Sequence, residues 1–170
     1  MNAFLRKFAL VGTATLLTSS ILGLGACAAT QDSGQLQAHK HIVRALFESV
    51  WNDADFDAIE GLWAQEVTFR FRGQSFPVSR AGLRDQVTSW REAFPDFQFV
   101  VEDVVAEADR VAARVSFTGM HTGAEWFGLA ATGKPISVTE MMCFRFEAGV
   151  VVEAWEDYDE QVMRQQLGAP

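Results

Sequence analysis

The chain is short of cysteine, proline, tyrosine and histidine, with two, four, one and three of them in 170 residues. It is also short of positive charge: 14 Lys and Arg stand against 22 Asp and Glu, a formal net charge of −8. Each shortage excludes something. His39 and His41 form a His-x-His pair, but no acidic or cysteine residue follows at ligand spacing, so they read as solvated residues at a helix start and no metal site is expected. Neither a phosphate-binding P-loop nor a dinucleotide-type glycine fingerprint occurs, and no organic cofactor is expected. An acidic chain is a poor partner for nucleic acid or an anionic membrane surface. No uninterrupted apolar run is long enough to cross a bilayer.

What is present begins at the N-terminus. Arg6 and Lys7 precede a mostly apolar stretch, Phe8 to Leu24, broken by Gly12, Thr13, Thr15 and Thr18 to Ser20. Leu24-Gly25-Ala26-Cys27 follows. This order is that of a secretory signal peptide over residues 1–26. The small residues before Cys27 resemble the lipobox of bacterial lipoproteins, which implies lipidation of Cys27. Ordinary cleavage at an Ala-x-Ala-like site is the alternative. Residue 28 is alanine rather than aspartate, which by the same analogy implies an outer-membrane lipoprotein facing the periplasm in a Gram-negative source. The membrane is then a partner through the lipid anchor only. Lipidation would leave Cys143 without an intrachain disulfide partner. Lying among Met141, Met142 and Phe144, Cys143 reads as a buried structural thiol.

Residues 27–38 are small and polar and read as a flexible tether, leaving one domain over 39–170. Its 49% hydrophobic content and 14 phenylalanines suit a substantial core. Ile42, Leu46 and Val50 recur at helical spacing, and Phe56, Ile59, Leu62 and Trp63 mark a short second helix. Residues 67–72 alternate as a strand. Ser79 is a helix N-cap ahead of Leu83, Val87, Trp90 and Phe94, and Pro95 ends that helix. Residues 97–106, 111–121, 136–147 and 150–158 read as strands, and 160–167 as a last helix closed by Gly168. Helices first and a strand meander afterwards predict an α+β fold, with about three N-terminal helices on one face of an antiparallel sheet.

The last hairpin predicts a pocket. A two-residue turn at Ala148-Gly149 pairs Glu147 with Val150. An unbroken count then opposes Met142 to Trp155, Glu140 to Asp157 and Val138 to Asp159. One face would carry Val138, Glu140, Met142, Phe144, Phe146, Val151, Trp155, Asp157 and Asp159. That is an apolar wall with carboxylates at one end, the composition of a ligand pocket. A one-residue slip would scatter them to opposite faces. The other face would hold Ser137, Thr139, Met141, Cys143 and Arg145 with Val152 and Ala154, mixed enough to accept a second copy as a homodimer. Asp159 also precedes the last helix, where capping explains an aspartate as well as catalysis does.

From about residue 112 onward the chain resembles the SnoaL-like polyketide cyclase and ester cyclase family, which has the cone-shaped fold of the nuclear-transport-factor-2-like superfamily. The carrying residues are Gly119-Met120-His121-Thr122-Gly123, Trp126-Phe127-Gly128 and Ala131-Thr132-Gly133-Lys134-Pro135. Phe144-Arg145-Phe146-Glu147, Val152-Glu153-Ala154-Trp155, Asp159 and Gln166-Leu167-Gly168 continue the match. The resemblance implies that Asp159 is the acid/base of an aldol-type ring closure. It makes His121 a second polar group of the site, or else a residue that shapes the loop 122–135. It implies that Trp155, Met142, Trp126, Phe127 and Phe144 are pocket walls, while Glu140 is an additional carboxylate on the same wall.

The reading that emerges is cofactor-independent proton transfer on a small hydrophobic carbonyl compound. Non-catalytic capture of a hydrophobic ligand is the alternative. Epoxide hydrolysis by an Asp-Arg-Asp set ranks last, because the unbroken count puts Arg145 on the face opposite Asp157 and Asp159. An exported protein would not meet substrates held on cytosolic synthases, so the family's named reaction does not transfer directly.

Overall fold

The computed structural model describes residues 21–169, with side chains within 33–169. Most of the expected signal segment and the side chain of Cys27 lie outside the described residues. The first helix, α1, runs Ile21–Ala45 and continues as a π-helical stretch, Leu46–Asn52. The segment expected as a tether is therefore helical. It holds no proline, and its alanine, glutamine and leucine residues carry a low helix penalty. The longer helix also corrects the reading of His39, which falls one turn before Val43 on the buried stripe. His39 is only 3% exposed and stacks on Phe146, with ring centroids 4.3 Å apart.

A 3-10 turn, Phe56–Ala58, leads into α2, Ile59–Leu62. Trp63, expected on that helix, instead opens β1, Trp63–Phe71. A strand not foreseen, β2 (Gln74–Ser79), pairs with β1 as a hairpin. Ser79 caps α3 (Arg80–Ala93) as expected, its hydroxyl accepting from the Gly82 amide at 3.1 Å. Then come β3 (Gln98–Glu107), β4 (Arg110–Met120), β5 (Pro135–Glu147), β6 (Val150–Tyr158) and α4 (Glu160–Leu167).

The six strands form one sheet in the order β2-β1-β6-β5-β4-β3. The meander from β3 to β6 is antiparallel, but β6 lies parallel to β1, so the sheet is mixed at that joint. Register shifts interrupt β1 between Trp63 and Thr68, β3 between Val101 and Asp103, and the β5–β6 pair beside Phe146. Bulges of this kind bend strands and increase twist. The sheet curls, and its concave face wraps the core as a cone. The π-helical stretch and α3 supply Phe47, Val50, Leu83, Val87 and Trp90 to that core, all buried. Asn52 locks the helical layer to the sheet. Its side-chain amide donates to the Phe99 carbonyl at 2.9 Å and its oxygen accepts from the Phe99 amide at 2.8 Å.

Candidate active site

The hairpin turn has the expected register: Glu147 pairs with Val150 and Phe146 with Val151. Ala148 and Gly149 both have positive φ, 49° and 82°, as a tight turn with the twist of its strands requires. The next step differs from the unbroken count. Val152 is an extra residue on β6, and Arg145 pairs with Glu153. Every later position moves by one. Met142 opposes Glu156 rather than Trp155, Glu140 opposes Tyr158 rather than Asp157, and Trp155 opposes Cys143. Trp155 and Asp157 thus face outward, while Ala154, Glu156 and Tyr158 face the cone. The sequence did contain a signal. An unbroken register places Glu153 beside Phe144 in the middle of an apolar wall, and burying that charge unpaired is costly. The bulge seats Ala154 there instead, fully buried.

Inside the cone a narrow cleft of about 20 Å³ is lined by Glu140, Met142, Phe144, Glu156, Gln86 and aromatic rings that include Phe69 and Trp90. It meets an outer vestibule of about 220 Å³, whose walls include Phe71, Phe76, Trp126, Phe127 and Tyr158. Phe69, Gln86, Trp90 and Glu156 line both spaces, so Glu156 stands where they join. The expected wall residues Met142, Phe144, Trp126 and Phe127 all line one compartment or the other.

Glu140 is 2% exposed, and its Oε1 has no hydrogen-bond partner. Burial pushes its carboxyl well above the usual range, and the neighbouring Glu156 adds to the rise through its charge and a carboxyl–carboxyl hydrogen bond. Burial also pushes Glu156 up, to about 7, while its contact with Glu140 works the other way. Among the described residues, no Lys or Arg lines either compartment. Two adjacent acids without a counter-charge cannot both ionise cheaply. The Tyr158 phenol is raised, first by burial and then by Glu156, and stays protonated.

The His-Thr-Gly and Trp-Phe-Gly motifs build the lid of the vestibule. Both ring nitrogens of His121 are engaged: Nε2 lies 3.0 Å from the Ala124 carbonyl, and Nδ1 lies 3.3 Å from the Thr132 hydroxyl and 3.4 Å from the Thr132 amide. His121 is fully buried against Phe94. These contacts tie its ring to the loop 122–135. Gly123 and Ala124 donate to the carbonyls of Ala93 and Glu92 at the end of α3, and a Cβ at Gly123 would strike the Glu92 carbonyl. Trp126 and Leu129 exchange both backbone hydrogen bonds at 2.9 Å across Phe127 and Gly128, whose φ values are 49° and 78°. That tight turn sets Trp126 against Trp90 and leaves Phe127 46% exposed at the mouth.

Other expected site residues lie elsewhere. Asp159 is exposed and caps α4, accepting from the Val162 amide at 2.9 Å; it lines a surface groove with Arg72 and Glu160 rather than the cleft. Trp155 lies under the guanidinium of Arg70 at 4.9 Å and that of Arg110 at 5.1 Å on the outer face. Cys143 is half-buried on that face and not in the core. Arg145 does share the outer face with Asp157, but Glu147 and Glu153 engage it, so no Asp-Arg-Asp set forms. Among the described residues, no three His, Cys, Asp or Glu side chains come together as candidate metal ligands.

The sequence profile of the SnoaL-like polyketide cyclase family matches residues 41–167. No curated protein matches the chain. Solved structures do. AclR from Streptomyces galilaeus is 28% identical with a TM-score of 0.68, over 78% of this chain and 97% of that one. IdmH from Streptomyces antibioticus, a candidate polyketide cyclase, is 27% identical with a TM-score of 0.67, over 77% of this chain and 99% of its own. A SnoaL-like polyketide cyclase from Agrobacterium tumefaciens is 26% identical with a TM-score of 0.64, over 76% and 98%.

Proposed function

The chain belongs to the SnoaL-like polyketide cyclase family, and from that premise we propose that it catalyses proton transfer on a small, largely apolar carbonyl compound, with Glu156 as the base. One observation carries this reading: a carboxyl pair without a counter-charge stands where the inner cleft joins an aromatic vestibule. A carboxyl pushed up to about 7 takes and returns protons efficiently near neutral pH. In an aldol closure, the Glu156 carboxylate removes a proton from the carbon beside a carbonyl. The enolate carbon attacks a second carbonyl, and the resulting alkoxide takes the proton back from Glu156. Glu140 keeps its own proton, and through its hydrogen bond to Glu156 it favours the carboxylate form of its neighbour. The neutral Tyr158 phenol adds a donor to the wall.

Exchange of the acidic carbon-bound protons of 2-tetralone in heavy water, followed by NMR, tests the reading. The wild type should accelerate exchange, and Glu156→Gln should lose roughly 10²–10⁴-fold of it, the usual worth of a positioned base. Equal rates in the two proteins would sink the proposal.

Ligand capture without chemistry is the second reading, favoured by the aromatic walls of the vestibule, which can hold an apolar ligand without a reacting group. Native mass spectrometry of the purified protein separates the two, since a binder would retain its ligand chemically unchanged.

A further inference from the structure

Two side chains on the cavity wall have hydrogen-bonding capacity that the protein does not use. Gln86 stands on the face of α3 that carries Leu83, Val87 and Trp90, all three buried. At that spacing an apolar residue is the natural occupant. Gln86 lines both the cleft and the vestibule beside Glu156, and its amide meets no hydrogen-bond partner among the described residues. Trp126 lines the vestibule, and its buried Nε1–H has no acceptor. The unpaired buried Trp126 donor is unfavourable and a ligand oxygen would relieve it, whereas half-buried Gln86 would exchange water for that oxygen.

Both groups are neutral. An anionic ligand such as a carboxylate or phosphate would meet the acidic pair with no cation to offset it. A neutral ketone or enol meets no such repulsion. Its oxygen gains charge only as the proton leaves for Glu156, and preorganised donors act most strongly on charge that develops in the transition state. The vestibule suits a flat ring or two in size, since a cavity of about 150 Å³ accommodates benzene.

We propose that Gln86 and Trp126 are the donors that receive the substrate oxygen, and that the substrate class is a neutral, planar, ring-sized ketone or enol. This rests on the reading of Glu156 as the base, and the test keeps the two apart. The probes are 4-fluorophenol, whose hydroxyl mimics an enol, and 4-fluorotoluene, which has the same ring without the oxygen. Fluorine NMR gives both dissociation constants for the wild type, Gln86→Met, Trp126→Phe and Glu156→Gln. Methionine keeps the length and helix preference of glutamine, so Gln86→Met isolates the amide.

The wild type should prefer the phenol. Gln86→Met should reduce that preference by about tenfold and Trp126→Phe by about three- to tenfold, the worth of one neutral hydrogen bond. Glu156→Gln should lose proton exchange on 2-tetralone. An unchanged phenol-to-toluene ratio in both donor variants would overturn the proposal, as would a wild type that binds neither probe or binds both alike. If Glu156→Gln keeps its exchange activity while the donor variants lose the preference, the base assignment fails and the donor set stands.

Discussion

The two faces of the β5–β6 hairpin carry the same acid three residues apart and treat it in opposite ways. On the outer face, Glu153 bridges Arg145 and Arg70, and those hydrogen bonds hold its carboxyl below the usual range. On the inner face, Glu156 has Glu140 for a neighbour and no cation, and burial pushes it up to about 7. Trp155 lies between them in sequence and joins the outer set, against Arg70 and Arg110. The outer carboxyl is neutralised and structural. The inner one is left without a counter-charge, and burial raises its hold on a proton.

The strongest way to break this contrast is to shift the register that creates it. Inserting one alanine between Ala154 and Trp155 would turn Trp155 and Asp157 inward in place of Glu156 and Tyr158. A large ring and an unpaired charge would then compete for the space inside the cone. The expected loss is about 4 kcal/mol or more, or failure to fold, read from the urea midpoint. A wild-type midpoint would mean that the register of β6 does not decide which side chains fill the cone.

Next in size is the functional contrast. Glu156→Gln should lose most proton exchange, whereas Glu153→Gln on the other face should keep it. Comparable losses in both would erase the distinction.

The pH dependence of stability sharpens it further. Glu140 and Glu156 bind protons more tightly when folded, so their contribution is complete below the unfolded pKa and is lost as pH rises through their folded values. For Glu156 the rise from 4.5 to about 7 corresponds to about 3 kcal/mol lost across that window. Glu153 and His39 run the other way. Their folded values are lowered, so their contribution is lost as pH falls. Melting temperatures between pH 5 and 8 should decline in the wild type and decline less steeply in Glu156→Gln, where the Glu140 contribution remains. A parallel decline in both would remove Glu156 as the cause.

The smallest effect belongs to Asp159. Replacing it with alanine should cost about 0.5–2 kcal/mol, the range for a lost helix cap, with exchange activity retained. Loss of activity at unchanged stability would return Asp159 to the chemistry.

Much of the fold was legible because local signals agreed. Ser79 and Asp159 sit at helix starts, Gly168 at a helix end with φ of 89°, and Ala148-Gly149 at a tight turn. The apolar wall of β5 was legible for the same reason, since strict alternation carries Val138, Glu140, Met142 and Phe144 to one side. The site was half legible. Glu140 was found through that alternation. Glu156 was missed because its place depends on one inserted residue, and Gln86 because a lone glutamine on an apolar helix stripe reads as a surface residue. His121 and Gly123 were visible as a motif, but the motif did not say that they latch a lid to the end of α3.

By itself the sequence determined an α+β fold with a large apolar core and an acid on the wall of its cavity, and its motifs carried the resemblance that implied the cone and the family. The first two follow from period, composition and turn chemistry, which act over a few residues at a time. Which acids share that cavity was decided only by the tertiary structure. Side-chain facing in a strand has a period of two, so the bulge at Val152 exchanges every later residue of β6 between the cone and solvent, and the partner strand shows where that exchange begins.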